Sequence, residues 1–358
     1  MEQNKEKTTL EQHSEKAAFV GELSRGKMHP TTMLDLFKMY LFRLYHTKMV
    51  YIIYGAIALI GIIAVLVIAE LNAQATKANS GTATSVLSLS QIALFCFSVP
   101  GAFSTLSGTS GTALITNAAT SSVGSFLPLG FFGLMVICFF IGKDWQNRTF
   151  RNQILAGHGR IQIYLVAQLT AFLIALGIVV TWEATIWSLG SIMRIPAFID
   201  NQFAASVGGV TYNPNPAGVF CVSFFMELLI YISLAVLACA WSFIIPNSWG
   251  AFGLLYATFE VAALIGIIVY GLGYFNANSY YQLREWLVSY QMGQFNGFGA
   301  DYYATFTNDR SHGYDVINTV FHAGRTLALC LKTAGSSLIL IGAMGFLGGR
   351  AFVKRDLK

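Results

Sequence analysis

The sequence predicts an all-α polytopic membrane protein with six transmembrane helices and cytoplasmic N and C termini. Three observations carry this. Hydrophobic residues make up 55% of the chain and charged residues 11%, where a soluble domain carries about 25% charged residues. Several apolar runs reach the roughly 18 uncharged residues that suggest a bilayer span. The basic residues collect at the ends of those runs, mostly on one side when the runs alternate in direction. The runs are continuous rather than alternating with period two, which argues against a β-barrel. The net charge of +5 sits at span ends and does not indicate nucleic acid.

The elements follow in order. Residues 1–30 are polar and of mixed charge, as in a flexible cytoplasmic tail. Within them Gly21-Glu22-Leu23-Ser24-Arg25-Gly26-Lys27 mimics a phosphate-binding loop. Met28 stands where that loop needs Ser or Thr, and too little chain precedes the first span to build a nucleotide-binding domain. Residues 31–48 predict an interfacial amphipathic helix, with Met33, Leu36, Phe37, Tyr40, Leu41 and Leu44 at helical spacing. Residues 49–358 form the transmembrane domain. Span one covers 50–69, starting too deep and running too long for a cleavable signal peptide.

Ser80 to Ser125 is rich in Ser, Thr, Gly and Ala, and its apolar core from Ile92 to Phe103 is short and holds Pro100. If it spanned, parity would move the basic N-terminus outside. It therefore reads as extracellular or re-entrant, within an outer segment 70–124. Span two covers 125–141 and span three 161–181, ending near Trp182, Glu183 and Trp187 at the interface. An outer loop, 182–218, contains Pro196, Pro214 and Pro216. Span four covers 219–245 and span five 250–272, joined by Pro246-Asn247-Ser248. The outer segment 273–325 is aromatic, and Leu283, Trp286, Leu287 and Tyr290 share one helical face, predicting an amphipathic or re-entrant helix. Span six covers 326–348, where Gly342, Gly345, Gly348 and Gly349 suit close helix approach. A basic tail follows.

Chemistry-bearing residues are few. The cysteines (Cys96, Cys138, Cys221, Cys239 and Cys330) form no CxxC pair and read as small hydrophobes. The six histidines are scattered, and no nucleophile, zinc or complete nucleotide motif is present. The chain is therefore not expected to be an enzyme or to hold a metal. Glu227 and Glu260 are ionisable residues at membrane depth, which is costly unless they face a partner or water. They are either a candidate cargo path or structural polar contacts. Glu183 reads as interfacial.

Between spans two and three lies IGKDWQNRTFRNQILAGHGRIQIY, Ile141 to Tyr164. It packs Lys143, Arg148, Arg151 and Arg160, with His158, into a short polar interval. A segment of this length can form a short surface helix. It is either a topological anchor, basic because cytoplasmic loops are, or a handle for a cytoplasmic partner.

This segment resembles the loop after the second span in permeases of type-2 ABC exporters, especially small Gram-positive ones linked to antimicrobial-peptide export and immunity. Asp144, Asn147, Thr149, Arg151, Gly157 and Arg160 match that pattern. Arg148 stands where the family usually has Gly, and Gly159 where it often has Ser. The resemblance implies the type V permease fold in a bacterial cytoplasmic membrane. It implies a second permease copy or relative, and a separate cytoplasmic ABC ATPase in two copies. ATP and Mg would sit on that partner, with no cofactor on this chain. The implied ATPase-coupling residues are Asp144, Asn147, Arg148, Thr149, Arg151, Asn152, Gly157, His158 and Arg160. The implied cargo is an amphipathic or hydrophobic peptide, or a lipid-like molecule. Two other classes stay open. An ion-coupled secondary transporter would use Glu227 and Glu260 as proton carriers, though no internal repeat is evident. A membrane sensor or scaffold would use the aromatic outer segment as receptor.

Overall fold

The computed structural model describes residues 32–78, 88–97, 129–198, 205–207, 210–212, 215–273, 286, 291, 303–306, 316–319 and 323–355. Each of the six predicted apolar runs lies largely within a helix. In chain order these elements are α1 (Met33–His46), α2 (Lys48–Ala78), α3 (Leu89–Leu94), α4 (Leu129–Gln146), α5 (Thr149–Leu155), α6 (Arg160–Ile192), α7 (Pro216–Ile244), α8 (Ser248–Gly273) and α9 (Ala323–Lys354). Among the described residues four helical stretches are long and apolar enough to cross a membrane: Lys48–Gln74, Arg160–Ile192, Pro216–Ile244 and Cys330–Lys354. The chain is thus a predominantly helical, membrane-embedded protein.

Most helices outrun the predicted spans. The 33 residues of α6 extend about 50 Å at about 1.5 Å per residue, against a hydrocarbon core of about 30 Å. Hydropathy marks only the apolar part of a helix, whereas backbone hydrogen bonding carries it further.

Local chemistry sets the helix ends. Thr32 caps α1: its hydroxyl oxygen accepts from the Asp35 amide at 3.3 Å, and Asp35 Oδ2 accepts from the Thr32 amide at 3.2 Å. This reciprocal pair satisfies two otherwise free donors, and the bonds from Thr32 hold the exposed Asp35 carboxyl below its usual range. The apolar stripe of α1 is buried at Leu36 and Tyr40, while Met33 is exposed. Asn215 caps α7, with Pro216 as its first residue, the position where a missing amide does least harm.

The core centres on α4, α6 and α7, and α9 packs along α7. Gly348 sets that last approach. A Cβ there would lie 2.5 Å from Tyr164 Oη and 2.9 Å from Ala240 Cα. Gly349 also faces Tyr164, whereas Gly342 and Gly345 face open space. The close approach predicted for the glycine row therefore holds for only half of it.

Ser88 to Phe97 packs into the bundle. Its described side chains are buried against α4, α6 and α7. The Leu89 and Ser90 amides donate to the Pro196 and Ala197 carbonyls at 2.9 and 3.2 Å. Trp182 Nε1 donates to the Ala93 carbonyl at 2.9 Å. This part of the predicted outer segment 70–124 is a wedge packed among the helices.

The fold also departs from pure helix. Two antiparallel hairpins lie in the predicted outer segments: Ala205–Val207 (β1) with Val210–Tyr212 (β2), and Tyr303–Phe306 (β3) with Val316–Thr319 (β4). Gly208-Gly209 between the first two strands is a pair favoured in tight hairpins. Most of the predicted helical face at 283–290 lies outside the described residues, apart from Trp286, which is exposed. Residues 1–30 also lie outside them.

Candidate functional site

The central segment is a short helix held between two long ones. α4 ends at Gln146, and Arg148 turns the chain with φ of 55°. That is the left-handed region, where glycine fits without a steric cost. α5 then buries Phe150 and Gln153 and exposes Arg151, Asn152 and Leu155. Gly157, at φ 93°, closes it. The His158 amide donates to the Gln153 carbonyl at 3.1 Å and the Gly157 amide to the Ile154 carbonyl at 3.0 Å, a glycine-terminated helix end.

The residues implied to be coupling residues divide by burial. Asn147, Arg148, Arg151, Asn152 and Gly157 are exposed. Thr149, His158 and Arg160 are half-buried, and Asp144 is 0% exposed. Asp144 is therefore not a surface handle. It forms an ion pair with Arg43 of α1. The Arg43 guanidinium carbon also lies 5.4 Å from the centroids of both the Tyr40 and Phe140 rings, within cation–π range. Burial pushes the Asp144 carboxyl up, and Arg43 opposes that shift. Tyr40 Oη donates across to Gln153 Oε1 at 3.5 Å, a long contact that links α1 to α5.

Arg160 is structural too. Its Nη1 donates to the Val353 carbonyl at 2.6 Å and the Arg355 carbonyl at 2.8 Å. Arg355 Nη1 in turn donates to the carbonyls of Phe243 and Ile244, each at 3.1 Å. These carbonyls end α9 and α7, where no helical donor remains and the helix dipole favours a cation. Trp145 Nε1 donates to the Ser242 carbonyl at 2.9 Å, and its ring centroid lies 5.1 Å from the Arg355 guanidinium carbon. Trp145, Phe150, Phe243 and Phe352 pack around one another, with Trp145–Phe150 centroids 5.0 Å apart and Phe243–Phe352 4.9 Å apart. The result ties α1, α4, α5, α7 and α9 into one packed end of the bundle.

Arg43, Trp145 and Arg355 had no special signal in the sequence. Arg43 and Arg355 counted only as basic residues near span ends, and Trp145 lay unremarked beside Asp144.

The three carboxylates on the long helices differ. Glu227 is 1% exposed, and its Oε2 has no hydrogen-bond partner. The side chain of Glu260 lies outside the described residues. Glu183 is half-buried. Its Oε2 accepts from Trp187 Nε1 at 2.8 Å, and its Oε1 is buried without a partner. Among the described residues no group of three or more His, Cys, Asp or Glu is placed to hold a metal.

Comparison with family models, with curated proteins and with solved structures gives no match to this chain.

Proposed function

We propose that the chain is the permease subunit of an ATP-driven exporter of the type-2 ABC kind. In this reading α2, α4, α6, α7, α8 and α9 are the six spans, and α5 lies in the cytoplasm with both termini. Two permease copies, or this chain and a relative, pair in the membrane. Each rests on a cytoplasmic ATPase that carries ATP and Mg. The cargo is an amphipathic or hydrophobic molecule, with a peptide of the antimicrobial kind favoured by the sequence resemblance.

The observation that supports this reading best is α5. Its exposed face presents Arg148, Arg151 and Asn152 beside Leu155, which is 72% exposed. An apolar side chain flanked by cations on a short helix suits an acidic-rimmed protein groove. The same helix is rigidly joined to α1, α7 and α9, so force applied there reaches the bundle.

The test is co-purification of a nucleotide-binding subunit with the tagged chain from its native membrane. Arg151→Glu with Leu155→Asp is expected to abolish co-purification while leaving the permease folded. A chain that purifies alone and moves substrate without ATP would sink the reading and favour an ion-coupled secondary transporter.

A further inference from the structure

At the end of the bundle away from α5, aromatic rings form a continuous strip. Phe220, Phe224, Glu227 and Tyr231 follow one another on one face of α7. Phe97, from the buried wedge, meets Phe224 at 5.5 Å and Tyr231 at 6.1 Å between ring centroids. It therefore touches the residues about one turn to either side of Glu227. The strip continues from Phe224 to Phe220 at 5.9 Å, and from there to Trp187 at 5.8 Å and Phe198 at 6.0 Å.

Two carboxylates border this strip, one enclosed and one half-buried. Glu227 on α7 is 1% exposed, and Glu183 on α6 is half-buried and accepts from Trp187 Nε1. Cys96 lies within electrostatic reach of both. Each carboxylate keeps one buried oxygen without a hydrogen bond, and among the described residues neither has a cationic partner. A buried carboxylate without a counter-charge is heavily penalised. Packing alone would be served equally well by Gln or Leu. A ligand carrying positive charge supplies the missing partner, and aromatic faces attract the same charge.

We propose that this strip is a binding site for an amphipathic organic cation, with Glu227 as the enclosed anchor and Glu183 as the half-buried one. The proposal deepens the cargo half of the exporter reading and rests on it for the direction of movement. With Glu227 1% exposed, entry requires α6 and α7 to part at this end.

The test is equilibrium binding of tritiated tetraphenylphosphonium to the purified full chain in zwitterionic nanodiscs, with neither nucleotide nor ATPase present. Saturable binding is expected. Glu227→Gln and Glu183→Gln should each weaken it at least tenfold. Glu70→Gln, on the exposed side of α2, should leave it unchanged, and uncharged triphenylphosphine oxide should not compete. If Glu227→Gln does not fold, Glu183→Gln and Trp187→Phe carry the same comparison. Absence of saturable binding overturns the site. So does wild-type affinity in the folded glutamate variants, or an equal loss in Glu70→Gln. Failed co-purification with intact binding sinks the exporter reading alone. Intact co-purification without binding sinks this site alone.

Discussion

Arg43 of α1 is ion-paired to Asp144 at the end of α4, 101 residues away, and Asp144 is wholly enclosed. The pair locks the entry helix to the segment that carries α5. Asp144→Ala should lower stability by about 2 kcal/mol, because Arg43 loses its partner. Fully enclosed pairs lose about 3–5 kcal/mol, but the Arg43 side chain keeps 26% exposure, which softens the loss. The double variant Arg43→Leu with Asp144→Leu should recover most of it. Thermal unfolding in detergent, followed by intrinsic fluorescence, reads both. A double variant as unstable as Asp144→Ala alone would show that the pair itself is not what matters.

Arg355 bridges the carbonyls of Phe243 and Ile244, the last two residues of α7, from just beyond α9. Arg355→Ala should cost about 1–2 kcal/mol, since charge-assisted bonds to orphan carbonyls are lost from a half-buried site. Arg355→Lys should recover less than half, because a compact ammonium lacks the planar fork and stacks poorly on Trp145. Hydrogen exchange should rise over 240–245 in the alanine variant. Unchanged protection there would remove Arg355 from the role of helix cap.

Arg148 occupies a left-handed backbone position. Such a conformation costs a non-glycine residue about 1 kcal/mol. Arg148→Gly should therefore be neutral or stabilise by up to about 1 kcal/mol, despite losing a side chain. Arg148→Val should destabilise by more than that. Chemical denaturation of the three proteins ranks them, and a glycine variant less stable than the valine one would rule out the left-handed turn at this position.

Gly348 and Gly342 lie on one helix yet predict opposite outcomes. A side chain at 348 collides with Tyr164 and with the α7 backbone at Ala240, whereas 342 faces open space. Gly348→Leu should cost about 2 kcal/mol or more by overpacking. Gly342→Leu should stay within about 0.5 kcal/mol in detergent, as surface substitutions do. Comparing the two melting temperatures decides it, and equal losses would sink the assigned packing of α9 on α7.

The helices were legible because their signals are local. Apolar run length is read within one segment and needs no knowledge of distant residues. The wedge at Ser88–Phe97 was not legible, because a short apolar stretch reads alike on the surface and in a bundle. The pairing of Asp144 and Arg160 was not legible for a related reason. A polar residue in a short basic loop looks exposed until a distant helix covers it.

The sequence by itself determined where the long helices lie, that the chain is built for a membrane, and that a short basic polar interval separates the second and third apolar runs. Tertiary structure alone decided which polar groups are enclosed and with whom. Arg160 meets carbonyls 193 and 195 residues away, and Glu227 meets no hydrogen-bonding partner for its Oε2. Burial and pairing depend on which helix faces pack together, and no periodicity within one helix encodes its neighbour.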